Sequence, residues 1–120
     1  MSGYKDLNVY TKSYKAALAV YEMTKNDPKE ERYSLTDQIR RAATSIPLNI
    51  AEGYGKKSSQ QEFKRFLEMA LGSSNETQVL LDFAKDLKYI DEEQYIKASQ
   101  TYDEVSRMLS GMIKRIKSEI

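Results

Sequence analysis

The sequence contains neither cysteine nor histidine. Their absence excludes thiolate and imidazole chemistry: no cysteine-based zinc site, no Ser-His-Asp triad and no Cys-His dyad can be built from these residues. A di-metal carboxylate bundle of the Glu-x-x-His type is excluded on the same ground. Lack of cysteine also fits a reducing compartment. Five glycines and two prolines in 120 residues are too few for many strands joined by tight turns, which points to an all-α fold. No apolar run approaches the roughly 20 residues of a membrane-spanning helix, and the opening MSGYKDLNVY reads as no signal peptide. The expected setting is cytoplasmic, with no membrane contact. The formal net charge of +1 gives no global attraction to nucleic acid or anionic lipid. An electrostatic role must come from where the charges lie.

What is present organises into four amphipathic segments, and the expected fold is one domain over residues 1–120, an antiparallel up-and-down four-helix bundle. In the first, Leu7, Tyr10, Tyr14, Ala17 and Tyr21 share a face that Leu18 widens, with Asp6 as cap and NDP as stop. Val9, Ala16 and Val20 are a second apolar set on the same helix, a surplus that predicts a partner surface and hence a homo-oligomer. The second segment has Ser34 as expected N-cap and a stripe of Ile39, Ala43, Ile46 and Ile50. The third opens on a capping box, Ser59 with Glu62, and runs through Phe63, Phe66, Ala70, Ser73, Thr77, Leu80, Ala84 and Leu87. The fourth is capped by Asp91 and carries Tyr95, Ala98, Tyr102, Val105, Leu109, Met112 and Ile116.

Pro47 interrupts the second helix. A proline there removes one backbone bond and crowds the carbonyl of Ala43, at a cost of about 3 kcal/mol. Either the helix ends near Ser45 or it continues with a kink. Apolar periodicity from Ile46 to Ile50 favours the kink, with Thr44 and Ser45 placed to bond freed carbonyls. Antiparallel pairing then sets Ala70, Gly72 and Ser73 opposite the bend, where small residues let two backbones approach.

The stretches YKDLNVY, SLTDQIRRAATSIPLNIAEGYGK, EFKRFLEMALGSSNET and LKYI closely resemble the 23S rRNA intervening-sequence protein family, small bacterial four-helix-bundle proteins. The resemblance covers nearly the whole chain in the right order. It implies homo-oligomers, commonly ring-shaped pentamers. It also implies kinship with the accessory variability proteins of diversity-generating retroelements, whose basic pentamers associate with a reverse transcriptase and nucleic acid.

An up-and-down topology sorts the charges. One end gathers Lys5, Lys56, Lys57, Lys64, Arg65, Lys114, Arg115 and Lys117; the other gathers Asp27, Glu30, Glu31, Asp86 and Asp91 to Glu93. Complementation of helix dipoles accounts for much of this, but not for Lys64 and Arg65 near a helix start. Lys56, Lys57, Lys64 and Arg65 are therefore the candidate contacts for RNA or single-stranded DNA, with Tyr54 as a stacking platform. Arg40 and Arg41 lie about 22 Å from Lys56 at about 1.5 Å per residue, near the acidic end, where ion pairs across helices or subunits are expected. Ser45, Asn49 and Glu52 share a polar stripe that reads as an inter-helix or inter-subunit hydrogen-bond network. The inventory calls for no cofactor, no metal and no catalytic residue. It describes a non-catalytic oligomeric binding protein or, failing nucleic-acid contact, a protein scaffold.

Overall fold

The computed structural model describes residues 3–116. Four helices carry the architecture: α1 Asn8–Met23, α2 Leu35–Gly55, α3 Gln60–Asp86 and α4 Glu92–Arg115. Each packs on its neighbours in the chain, and α1 closes against α4. With connections this short, successive helices run antiparallel, and the molecule measures 48 × 26 × 20 Å.

The helix starts show which local signals act. Asp91 Oδ1 accepts from the Gln94 amide at 2.7 Å while Gln94 Oε1 accepts from the Asp91 amide at 3.0 Å, a reciprocal capping box. At α3 only half of the expected box forms: Ser59 Oγ accepts from the Glu62 amide, and the Glu62 carboxylate turns to Arg65. Ser34 occupies the N-cap position of α2 without a side-chain cap bond. The Glu31 carboxylate does that work, accepting from the Leu35 amide at 3.3 Å and from the Tyr89 hydroxyl at 2.6 Å. Hydrogen bonding from Tyr89, then from the Leu35 amide, holds this carboxyl below its usual range. Asp6 caps a single turn at Tyr4–Asp6 by accepting from the Gly3 amide, and α1 begins after Leu7 with no side-chain cap.

The core is built from Ile39, Ile46 and Ile50 of α2, Leu67 and Leu81 of α3, Tyr102, Val105 and Leu109 of α4, and Val20 of α1, all essentially inaccessible. On α1 the expected inward face holds only in part: Ala17 is buried and Leu7 and Tyr10 pack partly buried against the core, but the second apolar set goes inside and the remaining members of the first stay out. Val9, Ala16, Ala17 and Val20 are buried, whereas Tyr14, Leu18 and Tyr21 are exposed. Small and β-branched side chains let α1 approach the bundle closely. A tyrosine turned inward must find a partner for its hydroxyl or lose a hydrogen bond. Tyr102 is the one on α4 that goes fully inside, and its hydroxyl finds no partner there; burial raises the pKa of that group. On α3 Ala70 is buried as expected, and of the two adjacent serines it is Ser74 rather than Ser73 that goes inside. Its hydroxyl reaches the Ser106 hydroxyl at 2.8 Å and the Tyr102 carbonyl at 3.3 Å, tying α3 to α4. Leu87 is exposed, so the long stripe leaves the core before its last member.

Helix α2 is one continuous element with Pro47, buried, inside it. The hydroxyls expected to relieve the Ala43 carbonyl go elsewhere: Thr44 donates to the carbonyls of Arg40 and Arg41, and Ser45 to that of Ala42. Gly72 is exposed, and a Cβ built on it would meet nothing within 4 Å. No close approach at Gly72 therefore accompanies Pro47. The close approach lies six residues beyond Pro47, at Gly53.

Candidate nucleic-acid interface

The site begins with that glycine. A Cβ on Gly53 would lie 2.7 Å from Phe66 Cβ and 3.3 Å from Phe63 Cδ1. Only hydrogen fits between the last turn of α2 and the first turns of α3. The chain then reverses tightly, with the Lys56 amide donating to the Gly53 carbonyl, the Lys57 amide to that of Tyr54, and the Ser59 amide to that of Lys56. Phe63 and Phe66 are thereby seated against α2, and Tyr54 meets Phe63 edge-on at 6.3 Å.

The cations settle on these rings. Lys57 Nζ stands 3.9 Å from the Tyr54 centroid, Lys56 Nζ 5.4 Å from that of Phe66, and the Arg65 guanidinium 4.5 Å from the same ring. Each such contact is worth about 0.5–1 kcal/mol when exposed, enough to bias a flexible side chain without removing it from water. Arg65 is also held by Glu62 through two bonds, at 3.0 and 3.1 Å. The bonded arginine keeps the Glu62 carboxyl below its ordinary range, and Glu62 in turn raises Arg65. Among the described residues Lys56, Lys57 and Lys64 form no ion pair. Lys56 lies near enough to Glu62 to help lower its carboxyl, and Arg65 is half spoken for by the same carboxylate. Lys57 covers one face of Tyr54, so a base would stack on the other face or displace the lysine. Lys5, Lys114 and Arg115 stand exposed on the elements that topology brings to the same end; Lys117 lies outside the described residues.

The two arginines expected to form ion pairs across helices or subunits do something else. Arg40 Nε donates to Thr24 Oγ1 at 2.9 Å, Nη2 reaches the Tyr21 carbonyl at 3.3 Å, and the guanidinium lies 4.7 Å from the Tyr21 centroid. Its partners are a hydroxyl, a carbonyl and a ring, and it satisfies the C-terminal end of α1. Arg41 pairs with Asp37 on its own helix at 3.0 Å, well exposed. Substituting Arg40 by Gln should cost about 1–2 kcal/mol, because hydrogen bonds from a charged donor are lost at a partly buried helix end. Arg41→Gln should cost no more than about 0.5 kcal/mol, as for an exposed pair one turn apart. Thermal melts of the two variants check this, and equal losses would contradict it.

The polar stripe of α2 also turns back on its own helix. Asn49 Nδ2 donates to the Ser45 carbonyl at 2.8 Å, Ser45 bonds within its turn, and Glu52 is exposed. Among the described residues no inter-helix hydrogen bond joins Ser45, Asn49 and Glu52. Ser73 contributes its carbonyl to Thr77.

Among the described residues no three carboxylates are grouped to hold a metal ion, and no helix is long and apolar enough to cross a membrane. Fold and site together define a small helical bundle whose α2–α3 junction holds cations over aromatic rings. The chain belongs to the 23S rRNA-intervening sequence protein family, whose profile matches residues 5–111. A crystal structure from Bacteroides thetaiotaomicron, described as a protein with unknown function from the S23 ribosomal protein family, is similar with a TM-score of 0.78 and 30% sequence identity; the likeness covers 88% of this chain and 98% of that one. No curated protein matches the chain.

Proposed function

We propose that the protein is a non-catalytic, self-associating binding protein that takes an RNA or single-stranded DNA backbone on the α2–α3 end. The carrying observation is the placement of Lys56, Lys57 and Arg65 over Phe66 and Tyr54, with Lys64 on the adjoining turn. Cations held on a rigid aromatic base lose little freedom on binding, and phosphate contacts release counterions from the polymer. A single chain of net charge +1 binds such a polymer weakly. Several copies presenting the same end make the weak contacts act together.

The apolar faces of α1 and α3 support self-association and favour a second reading, an oligomeric scaffold with no nucleic-acid contact. Fluorescence anisotropy of a labelled 23S rRNA fragment and of a single-stranded DNA, at low salt and with molar mass measured in parallel, separates the two. Binding that falls steeply with salt and depends little on sequence is the expected result. An assembled protein that leaves both probes unbound at low salt would leave the scaffold reading alone.

A further inference from the structure

Arg40 bonds to Thr24 and Tyr21 at the end of α1, so it marks the line of α2 that faces α1. Arg40, Thr44, Pro47, Ala51 and Tyr54 step by four and three along that line, which puts Tyr54 on the α1 side of α2. Height follows from the same mark. Arg40 lies over the Tyr21 ring; Leu7 is 14 residues before Tyr21, and Tyr54 is 14 residues after Arg40. At equal rise along antiparallel helices, Tyr54 and Leu7 are level. Leu7 stands midway between Tyr4 and Tyr10, and the turn Tyr4–Asp6 packs against α2 as well as α1.

The rings of α1 form a row from that level upward. Tyr4 meets Tyr10 edge-on with centroids 4.9 Å apart, and Tyr10 stacks on Tyr14 at 5.9 Å with 27° between the planes. Tyr54 carries the aromatic surface on to Phe63 of α3. Tyr4, Tyr10 and Tyr54 are half-buried, and Tyr14 is 49% exposed. The row ends there: Leu18 follows, and the Tyr21 ring is taken by Arg40. Two exposed lysines adjoin it, Lys5 beside Tyr4 and Lys15 beside Tyr14, neither in an ion pair among the described residues. Lys12 turns away to Glu104 of α4. The nearby carboxylates are Asp6, which accepts from the Gly3 amide, and Glu52, exposed beside Ala51.

We propose that the Tyr4–Tyr10–Tyr14 row is a base-stacking track for the strand held at Lys56 and Lys57, so that the ligand of the basic end is a single strand with unpaired bases and not a duplex. This rests on the reading of the basic end given above and names its substrate class. Rings offer π-surface to any base without asking for its identity, while lysines beside them meet the phosphates. In a duplex the bases are stacked on one another and out of reach. Tyr14 is seven residues before Tyr21, level with Pro47, which is seven residues before Tyr54. The track is therefore about 10 Å long at about 1.5 Å per residue, room for about three stacked bases at about 3.4 Å each. A protein contact would use the same rings, and molar mass separates the two.

The test is anisotropy at low salt with three labelled probes: oligo-dT, an abasic strand of equal length, and the duplex of oligo-dT with oligo-dA. Helicity and molar mass are measured on every variant. Tyr14→Leu should weaken oligo-dT binding roughly tenfold, the loss of one stacked base. It should leave the abasic strand and the salt slope unchanged, because no phosphate contact is lost. Tyr14→Phe keeps the ring and should bind oligo-dT as the wild type does. Tyr14→Leu protein that binds oligo-dT normally would overturn the track and leave the basic end standing. So would a duplex bound as tightly as the single strand. A Tyr14→Leu variant of altered molar mass would assign the ring to a protein contact and overturn the track as well. Wild-type protein that binds none of the probes would remove the reading of the basic end itself, and the track with it.

Discussion

Gly53→Ala lowers the stability of the bundle by about 1–3 kcal/mol, the range for forcing a methyl group into a packed site. The added carbon would lie 2.7 Å from Phe66 Cβ, an atom fixed to the backbone of α3 rather than the tip of a flexible side chain. Relief requires α2 and α3 to separate at their tightest point. In a domain of this size each kcal/mol corresponds to roughly 3–6 °C in melting temperature. Gly72→Ala is the matched control. It meets nothing within 4 Å, and replacing an exposed mid-helix glycine by alanine should raise stability by up to about 1 kcal/mol. The two identical chemical changes thus move the melt in opposite directions. If both variants melted alike, Gly53 would not be the contact that sets the α2–α3 spacing. The Gly53 variant should also weaken polymer binding beyond its loss of stability, since Phe66 carries Lys56 and Arg65.

The contrast shows where the sequence was legible and where it was not. Helix number, order and most boundaries follow from periodicity, and Asp91 and Ser59 are caps that local sequence defines. Periodicity does not say which of two apolar sets faces inward. On α1 both Tyr14–Leu18–Tyr21 and Val9–Ala16–Val20 have helical spacing, and only packing against α2 and α4 decides for the smaller set. A glycine in a helix likewise does not declare its neighbours. Gly72 sits among small residues and suggests close packing, yet it faces outward. Gly53 stands four residues before Lys57 in a segment that reads as a helix end, and its role depends on Phe63 and Phe66 across a turn. Charge position was legible as topology but not as pairing. The end that gathers Lys56, Lys57, Lys64 and Arg65 follows from the order of the helices. The Arg65–Glu62 fork and the lysines on their rings require side-chain geometry. Arg40 is the clearest case: its proximity to acidic residues suggested an ion pair, and the Thr24 hydroxyl and Tyr21 carbonyl at the end of α1 take it instead.

Changing Lys56, Lys57, Lys64 and Arg65 together to Gln should abolish polymer binding while leaving molar mass and helicity unchanged. None of the four is fully buried, and the contacts they make with Phe66, Tyr54 and Glu62 are exposed ones of about 1 kcal/mol or less. The fold should therefore tolerate their loss. Affinity should not, because single-strand binding changes with salt by a slope of about 0.7 per phosphate neutralised. Removing four cations should flatten that slope by as much as about 2–3 per chain engaged, and this separates lost phosphate contacts from a general loss of protein. Glu62→Gln supplies the opposite sign. It frees Arg65 from its carboxylate, so binding should strengthen and the salt dependence steepen. Arg41→Gln, at the far end of α2, should change neither. Anisotropy titrations of the three variants across a salt series read all of this in one format. Binding retained by the quadruple variant would place the polymer elsewhere on the molecule. Binding lost in the Arg41 variant, with assembly intact, would move the site to the opposite end of the bundle. An unchanged salt slope in the Glu62 variant would show that Arg65 takes no part even when released.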